Sequence, residues 1–357
     1  MLPGPDVPPH TAATSIRFLP MASMSQPQVW FRRAPGAPAA NTSRGQRARA
    51  PYERELHLAA ELARAAGRAA LHHYGVATAI LKVGGSPVTV ADREASRIIL
   101  QGLRRHFPAD AVLSEEEEGV AGQARARRLW LVDPLDGTKE FLAQNGEFSV
   151  MIGLAERGRS VLGVVYAPAL DVLWGAAPGL GAFVERDGVR RPLVRRPVAA
   201  ASPVRLVGSR SHADPLVLAL ARQLGGAAIA PSGSVGLKCA RIAEGLSEAY
   251  VHPIPYMKAW DLCAPEAILR EAGGTVTDCL GEALRYRRTQ PEQPHGIVAC
   301  APGVTPAVMS ALAPLYAERA AALIAPKAGV APKAGMAPEA AADLVAPDAS
   351  AAQSPRP

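Results

Sequence analysis

Residues 129–138 read Leu-Trp-Leu-Val-Asp-Pro-Leu-Asp-Gly-Thr, an apolar run that empties into a turn carrying two carboxylates. This stretch restricts the possible folds more than any other, because it specifies a strand end, a turn and a helix start in succession. Pro134 fixes its own φ and pushes Asp133 toward extended backbone, so the strand closes at Asp133 while Asp136 turns back toward the same point. Gly137 lets the backbone approach a ligand. The amides of Gly137 and Thr138 lie at the start of a helix through Lys139–Leu142 and are donors that suit an anion. Two carboxylates in one volume repel, and one must take up a proton unless a hard cation such as Mg²⁺ accepts both as oxygen ligands. Asp, Pro and Gly are equally the residues of an ordinary surface turn, so the rest of the chain has to decide between the two.

Further acids stand at element ends. Ala111–Leu113 is a short apolar stretch followed by Ser114 and the glutamates Glu115, Glu116, Glu117 and Glu118. The last three read as a solvated face, whereas Glu115 leaves the apolar stretch first. Ser86-Pro87-Val88-Thr89 leads to Asp92 at the start of a helix expected over 93–106. Trp260-Asp261 opens another over 262–272, which stops at Gly273-Gly274. Either aspartate, taken alone, is also explained as an N-cap.

Together these motifs resemble the lithium-sensitive inositol monophosphatase superfamily over residues 53–315. The segments Asn145-Gly146-Glu147-Phe148, Leu162-Gly163-Val164-Val165-Tyr166-Ala167-Pro168, Ser209-Arg210-Ser211-His212-Ala213-Asp214, Ala243-Glu244-Gly245 and Ala264-Pro265-Glu266 are similar, within it, to the 3'(2'),5'-bisphosphate nucleotidases of the CysQ type. The resemblance implies an α/β (α+β) fold, the layered αβαβα sandwich of the inositol monophosphatase and fructose-1,6-bisphosphatase type. It implies hydrolysis of a phosphomonoester with two or three Mg²⁺ per site. Glu115, Asp133 and the backbone carbonyl of Leu135 would hold one ion, and Asp133, Asp136 and Asp261 a second. Asp92 and Thr138, with Glu115, would activate the attacking water. Asp136, Gly137, Thr138, Asp261, Ser209, His212, Ser234 and Lys238 would contact the substrate, Lys238 as a phosphate partner. Ser234 stands where the motif has glycine, so the resemblance leaves the shape of that loop open.

Length and composition accommodate this. A chain of 357 residues that is 48% hydrophobic can build one large or two medium cores. A helix is expected over 53–74, then strands over 148–155, 161–166 and 172–176. After a shift in composition at 192–203 come a strand over 205–208, helices over 215–224 and 237–244, and a strand over 248–251. The expected divisions are an arm over 1–51, a metal-binding domain over 52–195, a substrate domain over 196–320 and an Ala/Pro-rich tail over 321–357. Both ends have the composition of disordered chain, and the first lacks a secretory signal, with Met21 and Met24 as alternative starts.

The net charge of +7 sits mostly in the first fifty residues, where Arg17, Arg32, Arg33, Arg44, Arg47 and Arg49 face the single acid Asp6. The body is nearly neutral, which speaks against a nucleic-acid partner. No apolar run reaches membrane-spanning length. Cys239, Cys263, Cys279 and Cys300 lack the spacing of a zinc site or disulfide framework, so reduced thiols in a cytoplasm are expected, with peripheral attachment to the inner membrane left open.

Three functions compete. The first is a nucleotidase acting on a small phosphorylated nucleotide, converting adenosine 3',5'-bisphosphate to AMP and the sulfated nucleotide to its 5'-phosphosulfate, in sulfur assimilation and nucleotide recycling. The second is an inositol or sugar monophosphatase; the inositol enzymes carry a glutamate seven residues before the Trp-Asp aspartate, where this chain has Ile254. The third is a catalytically silent phospholigand-binding protein, against which the full set of acids argues. The sequence leaves the oligomeric state open.

Overall fold

A computed structural model describes residues 50–81, 87–117, 126–199, 202–210 and 214–324. Residues 1–49 of the expected arm, 325–357 of the expected tail and His212 lie outside the described residues, while 321–324, expected to begin the tail, close the last helix. The chain enters through helix α1 (Glu53–His72), whose buried side is built of Leu56 and a row of alanines, Ala59, Ala60, Ala63, Ala66 and Ala70. A two-strand ribbon, β1 (Ile80–Leu81) and β2 (Pro87–Val88), leads to helix α2 (Val90–His106). This helix begins three residues before its expected start. The reason is local: Thr89 caps it, and Asp92, at the third helical position, accepts the Thr89 amide in return.

Next comes a seven-stranded sheet. Its strands are β3 (Ala111–Ser114), β4 (Arg128–Asp136), β5 (Ser149–Glu156), β6 (Arg159–Ala167), β7 (Val172–Ala177), β8 (Gly181–Arg186) and β9 (Val189–Leu193), with the short helix α3 (Thr138–Leu142) between β4 and β5. The spatial order follows the chain; β3 and β4 are parallel and the rest form an antiparallel meander. The sequence patterns identify the meander through β7, and β8 and β9 extend it up to the composition shift.

The remainder is β10 (Leu206–Ser209), α4 (Pro215–Gln223), β11 (Ile229–Ser232), α5 (Val235–Glu244), β12 (Ala249–His252), β13 (Met257–Lys258), α6 (Ala259–Glu271), β14 (Thr275–Thr277), β15 (Glu292–Gln293), β16 (Ile297–Cys300) and α7 (Thr305–Ile324). Strands order as β11-β10-β12-β16-β14 in a mixed sheet, and β13 pairs with β15 in a ribbon. α1 and α2 share one core with Trp130, Val132, Ile152 and Val164 on one face of the larger sheet. On its other face, Leu131, Met151 and Val165 meet Leu262, Cys263 and Ile268 of α6 and the strands of the smaller sheet. α4 and α7 pack against each other beyond it. This is the layered αβαβα arrangement. All four cysteines are buried and free, and no helix among the described residues is long and apolar enough to cross a membrane.

Helix α6 lies directly on β5 and β6 because both strands present glycine to it. A Cβ on Gly163 would stand 2.1 Å from the Ala264 carbonyl oxygen, and one on Gly153 would stand 2.7 Å from the Cys263 Cβ. Neither strand backbone nor helix backbone can give way cheaply to such an intrusion. Gly163→Val is therefore expected to lower stability by about 3 kcal/mol or more through overpacking. A urea titration of the variant checks this, and an unchanged midpoint would show that α6 is not seated by that contact.

Candidate active site

Strand β4 is the spine of the site. Its register with β5 runs regularly to Asp133 opposite Met151, then jumps so that Asp136 faces Ser149. Pro134 has no N–H to continue the ladder, and the irregularity re-aims the two aspartates. Asp133 is 2% exposed, and its Oδ1 accepts the Leu135 amide at 2.9 Å. Gly137 follows with φ 96°, a conformation natural only to glycine, and a Cβ there would come within 3.0 Å of the Glu147 carbonyl oxygen. From behind, the turn rests on Phe141 and Phe148, packed edge to face at 5.0 Å, with the Tyr74 ring 5.3 Å from each. The Tyr74 hydroxyl accepts the Gly146 amide, tying α1 to the same loop.

Three more acids reach this turn from separate elements. Glu115 follows β3, its amide bonded to the Val132 carbonyl in continuation of the parallel pairing. Asp261 lies in the first turn of α6, where it accepts the Lys258 amide. It is not the N-cap; Lys258 is. Pro265 lacks the N–H that would otherwise bond to the Asp261 carbonyl. Asp92 is 2% exposed, and its Oδ2 accepts the Thr89 amide at 2.8 Å and the Thr89 hydroxyl at 2.6 Å. Its Oδ1 accepts the Thr138 hydroxyl at 3.3 Å, which also stands 3.4 Å from the Leu135 carbonyl. Asp92 thus belongs to the helix cap and to the site at once.

Asp136 has partners that the sequence does not announce. It accepts the Ser234 hydroxyl at 2.5 Å and the amides of Val235 and Gly236, the first residues of α5. Ser234 in turn caps α5, accepting the Leu237 amide at 3.2 Å, and its oxygen lies 2.7 Å from Ser149 Oγ. Both serines are almost wholly buried. A serine in the glycine position of the motif therefore closes a chain of hydroxyls onto Asp136. Lys238 is 4% exposed, and its ammonium donates to the Gly233 carbonyl and sits 5.4 Å from the centre of the Tyr250 ring. Ser209 is exposed at the end of β10, in register with Ser232 of β11.

The electrostatics are those of crowded acids. Burial, then Glu115, Asp136 and Asp261, push the Asp133 carboxyl well above the usual range. Burial, then Asp136 and Glu115, do the same to Asp261. Asp136 is raised by burial against the opposing pull of Lys238, whose own value burial lowers. Among the described residues no three His, Cys, Asp or Glu side chains converge to ligating distance. Yet the donor set is all hard oxygen, the acids feel one another through a water-poor interior, and the ammonium groups that act on them, Lys238 and Lys258, are bonded to the Gly233 carbonyl and to Glu292. A divalent cation suits such a set, with Glu115, Asp133, Asp136, Asp261 and the Leu135 carbonyl as its holders.

Two outcomes follow from this geometry. With cations chelated, Asp133 and Asp261 titrate above the usual Asp value near 3.8, so the folded protein binds protons that the unfolded chain releases. Stability in EDTA should therefore rise as pH falls from about 8 to about 5, and Mg²⁺ should add more stability at the upper end, where fewer protons compete. Melting curves check this; an EDTA melting temperature that climbs with pH contradicts the crowded-acid site. Ser234→Ala removes the hydroxyl from Asp136 and should weaken Mg²⁺ binding about ten- to hundredfold in calorimetry. Unchanged affinity would mean that the α5 amides alone orient Asp136.

The inositol monophosphatase family model matches residues 52–322. The 3'(2'),5'-bisphosphate nucleotidase CysQ of Salmonella typhimurium is 44% identical over 236 residues, covering 65% of this chain and 93% of that protein. The crystal structure of CysQ from Bacteroides thetaiotaomicron matches with a TM-score of 0.58 at 32% identity, covering 70% of this chain and 98% of the other. The inositol monophosphatase from Anabaena matches with a TM-score of 0.60 at 29% identity, covering 74% and 97%. The layered fold, the acid-bearing turn and these likenesses agree: the chain belongs to the inositol monophosphatase family.

Proposed function

We propose that this protein is a Mg²⁺-dependent 3'(2'),5'-bisphosphate nucleotidase that hydrolyses adenosine 3',5'-bisphosphate to AMP and phosphate. The observation that carries the reading is the meeting of Glu115, Asp133, Asp136 and Asp261 beside the Thr138–Asp92 pair, in a chain that spans nearly the whole length of its nucleotidase relatives. When bound, Mg²⁺ supplies positive charge against the phosphate and lowers the pKa of water.

The chain's own residues handle the protons. As the water oxygen bonds to phosphorus, its proton passes to Thr138 Oγ1, whose proton moves to Asp92 Oδ1 along the existing hydrogen bond. Thr89 holds the other Asp92 oxygen with two donors, so the base needs no reorientation. The bond from phosphorus to the nucleoside oxygen breaks, and that oxygen takes a proton from solvent. Because the sulfated nucleotide has the same 3'-phosphate, the same cleavage gives its 5'-phosphosulfate. On this reading the enzyme acts in the cytoplasm, in sulfur assimilation and nucleotide recycling. In this reading residues 52–195 carry the water-activating pair and most of the metal acids. Residues 196–320 carry the nucleotide contacts and lend Asp261. Ile254, 42% exposed ahead of α6, offers no acceptor to a polyol, which weighs against the inositol phosphatase alternative.

Phosphate release from adenosine 3',5'-bisphosphate, inositol 1-phosphate and fructose 1,6-bisphosphate tests the reading. The nucleotide should be preferred in kcat/KM by about tenfold or more. Preference for inositol 1-phosphate would move the assignment to the monophosphatase. Thr138→Val should lower kcat by about a hundredfold or more while leaving Mg²⁺ affinity within about tenfold. Loss of Mg²⁺ binding in that variant would overturn the division of labour.

A further inference from the structure

A nucleoside bisphosphate presents two phosphates, and only one can lie on the acids and their cation. The other needs a cation elsewhere. Lys238 is 4% exposed, lies beside Asp136 and donates to the Gly233 carbonyl, so its ammonium faces the interior beside the acids. Arg210 is placed differently. It follows the last residue of β10, its backbone amide bonded to the Ser232 carbonyl at 3.1 Å, and its side chain is 41% exposed. Nε and Nη2 donate to the two carboxylate oxygens of Glu147 at 2.7 and 2.6 Å, and Nη2 also reaches the Pro231 carbonyl at 3.5 Å. Nη1 has no partner among the described residues, which leaves its two N–H groups unspent.

The anchor of this fork adjoins the acids. Glu147 lies in the loop that enters β5, two residues before Ser149, the partner of Asp136. Its carbonyl accepts the Ser234 amide at 3.2 Å and stands 3.0 Å from where a Gly137 Cβ would be. The guanidinium is thus held by a residue whose backbone touches the acid-bearing turn, at the carboxyl ends of the parallel strands β10 and β11, where α/β sheets take their ligands. A half-exposed ion pair contributes little to stability, but a carboxylate gripping one edge of an arginine fixes the direction of the other.

Building on the nucleotidase reading, we propose that Arg210 recognises the phosphate that is not hydrolysed, and so sets a preference for bisphosphate over monophosphate nucleotides. Glu147 orients the fork, and the Nη1 edge, which has no partner among the described residues and carries a permanent charge, meets the second phosphate.

The test compares adenosine 3',5'-bisphosphate with adenosine 3'-monophosphate, which carries the same scissile group and lacks the other. Arg210→Ala should lower kcat/KM for the bisphosphate about ten- to hundredfold, mainly through KM, and change the monophosphate by less than about threefold. Arg210→Lys, which keeps a charge for Glu147 but loses the fork, should lose part of the preference; it reads the same quantity should the alanine variant fail to fold. Glu147→Gln leaves the guanidinium charged and keeps one oxygen acceptor to orient it, so most of the preference should remain. Equal losses on both nucleotides in the Arg210 variants, or loss of the preference in Glu147→Gln to the extent seen in Arg210→Ala, would make the pair a structural clamp and overturn the proposal. A wild-type enzyme that takes both nucleotides equally has no such preference and would overturn the proposal as well, whereas a wild-type preference for inositol 1-phosphate would refute the nucleotidase reading itself.

Discussion

Asp133 is buried where water cannot screen it, with Glu115, Asp136 and Asp261 as neighbours, and this repulsion is the constraint that the surrounding structure answers. Like charges in a low-dielectric interior cost several kcal/mol unless something opposes them. The fold opposes them with fixed dipoles. The Leu135 amide turns onto Asp133, the first amides of α5 and the Ser234 hydroxyl onto Asp136, and the Lys258 amide onto Asp261. None of these donors neutralises charge. The site keeps a standing attraction for a cation, while the aromatic wedge of Tyr74, Phe141 and Phe148 stops the turn from relaxing outward.

The acids also come from elements that meet only in the finished fold. Asp133 and Asp136 belong to the larger sheet, whereas α6, which carries Asp261, packs against β5 and β6 on one side and β14 on the other. The close seat of α6 at Gly153 and Gly163 is therefore a condition of the chemistry, since a helix lifted by one methyl group carries Asp261 with it. Helix α5 plays the matching part for Asp136 through its capped N-terminus.

Much of this was legible in the sequence, and what was legible was local. Pro134 and Gly137 act on their own backbone, so the turn could be read without knowing what surrounds it. The meander up to β7 followed from alternation and turn residues. Asp92 and Asp261 each had a plain alternative as an N-cap. Both are instead third-position residues, with Thr89 and Lys258 in the cap position, and the Thr89-x-x-Asp92 spacing was the available signal. Helix α7 is not legible in the same way, for apolar residues lie all round it and Pro314, a residue that favours helix ends, stands inside it. The bond from Ser234 to Asp136 spans 98 residues and that from Ser149 to Ser234 spans 85, so no spacing rule reaches them.

The same distinction separates the two halves of the site. The half proposed to activate water couples the helix cap of Thr89 and Asp92 to the β4 turn through one bond across 46 residues, from Thr138 to Asp92, and none of its members comes from the second sheet. The half proposed to face the substrate joins β10, α5 and the 145–148 loop through Ser234, Glu147 and Arg210, whose side chains and amides link elements of the two sheets. Chemistry common to the family can thus rest on the first half, while the second can vary in which phosphate ester it admits without disturbing how the ester is cut.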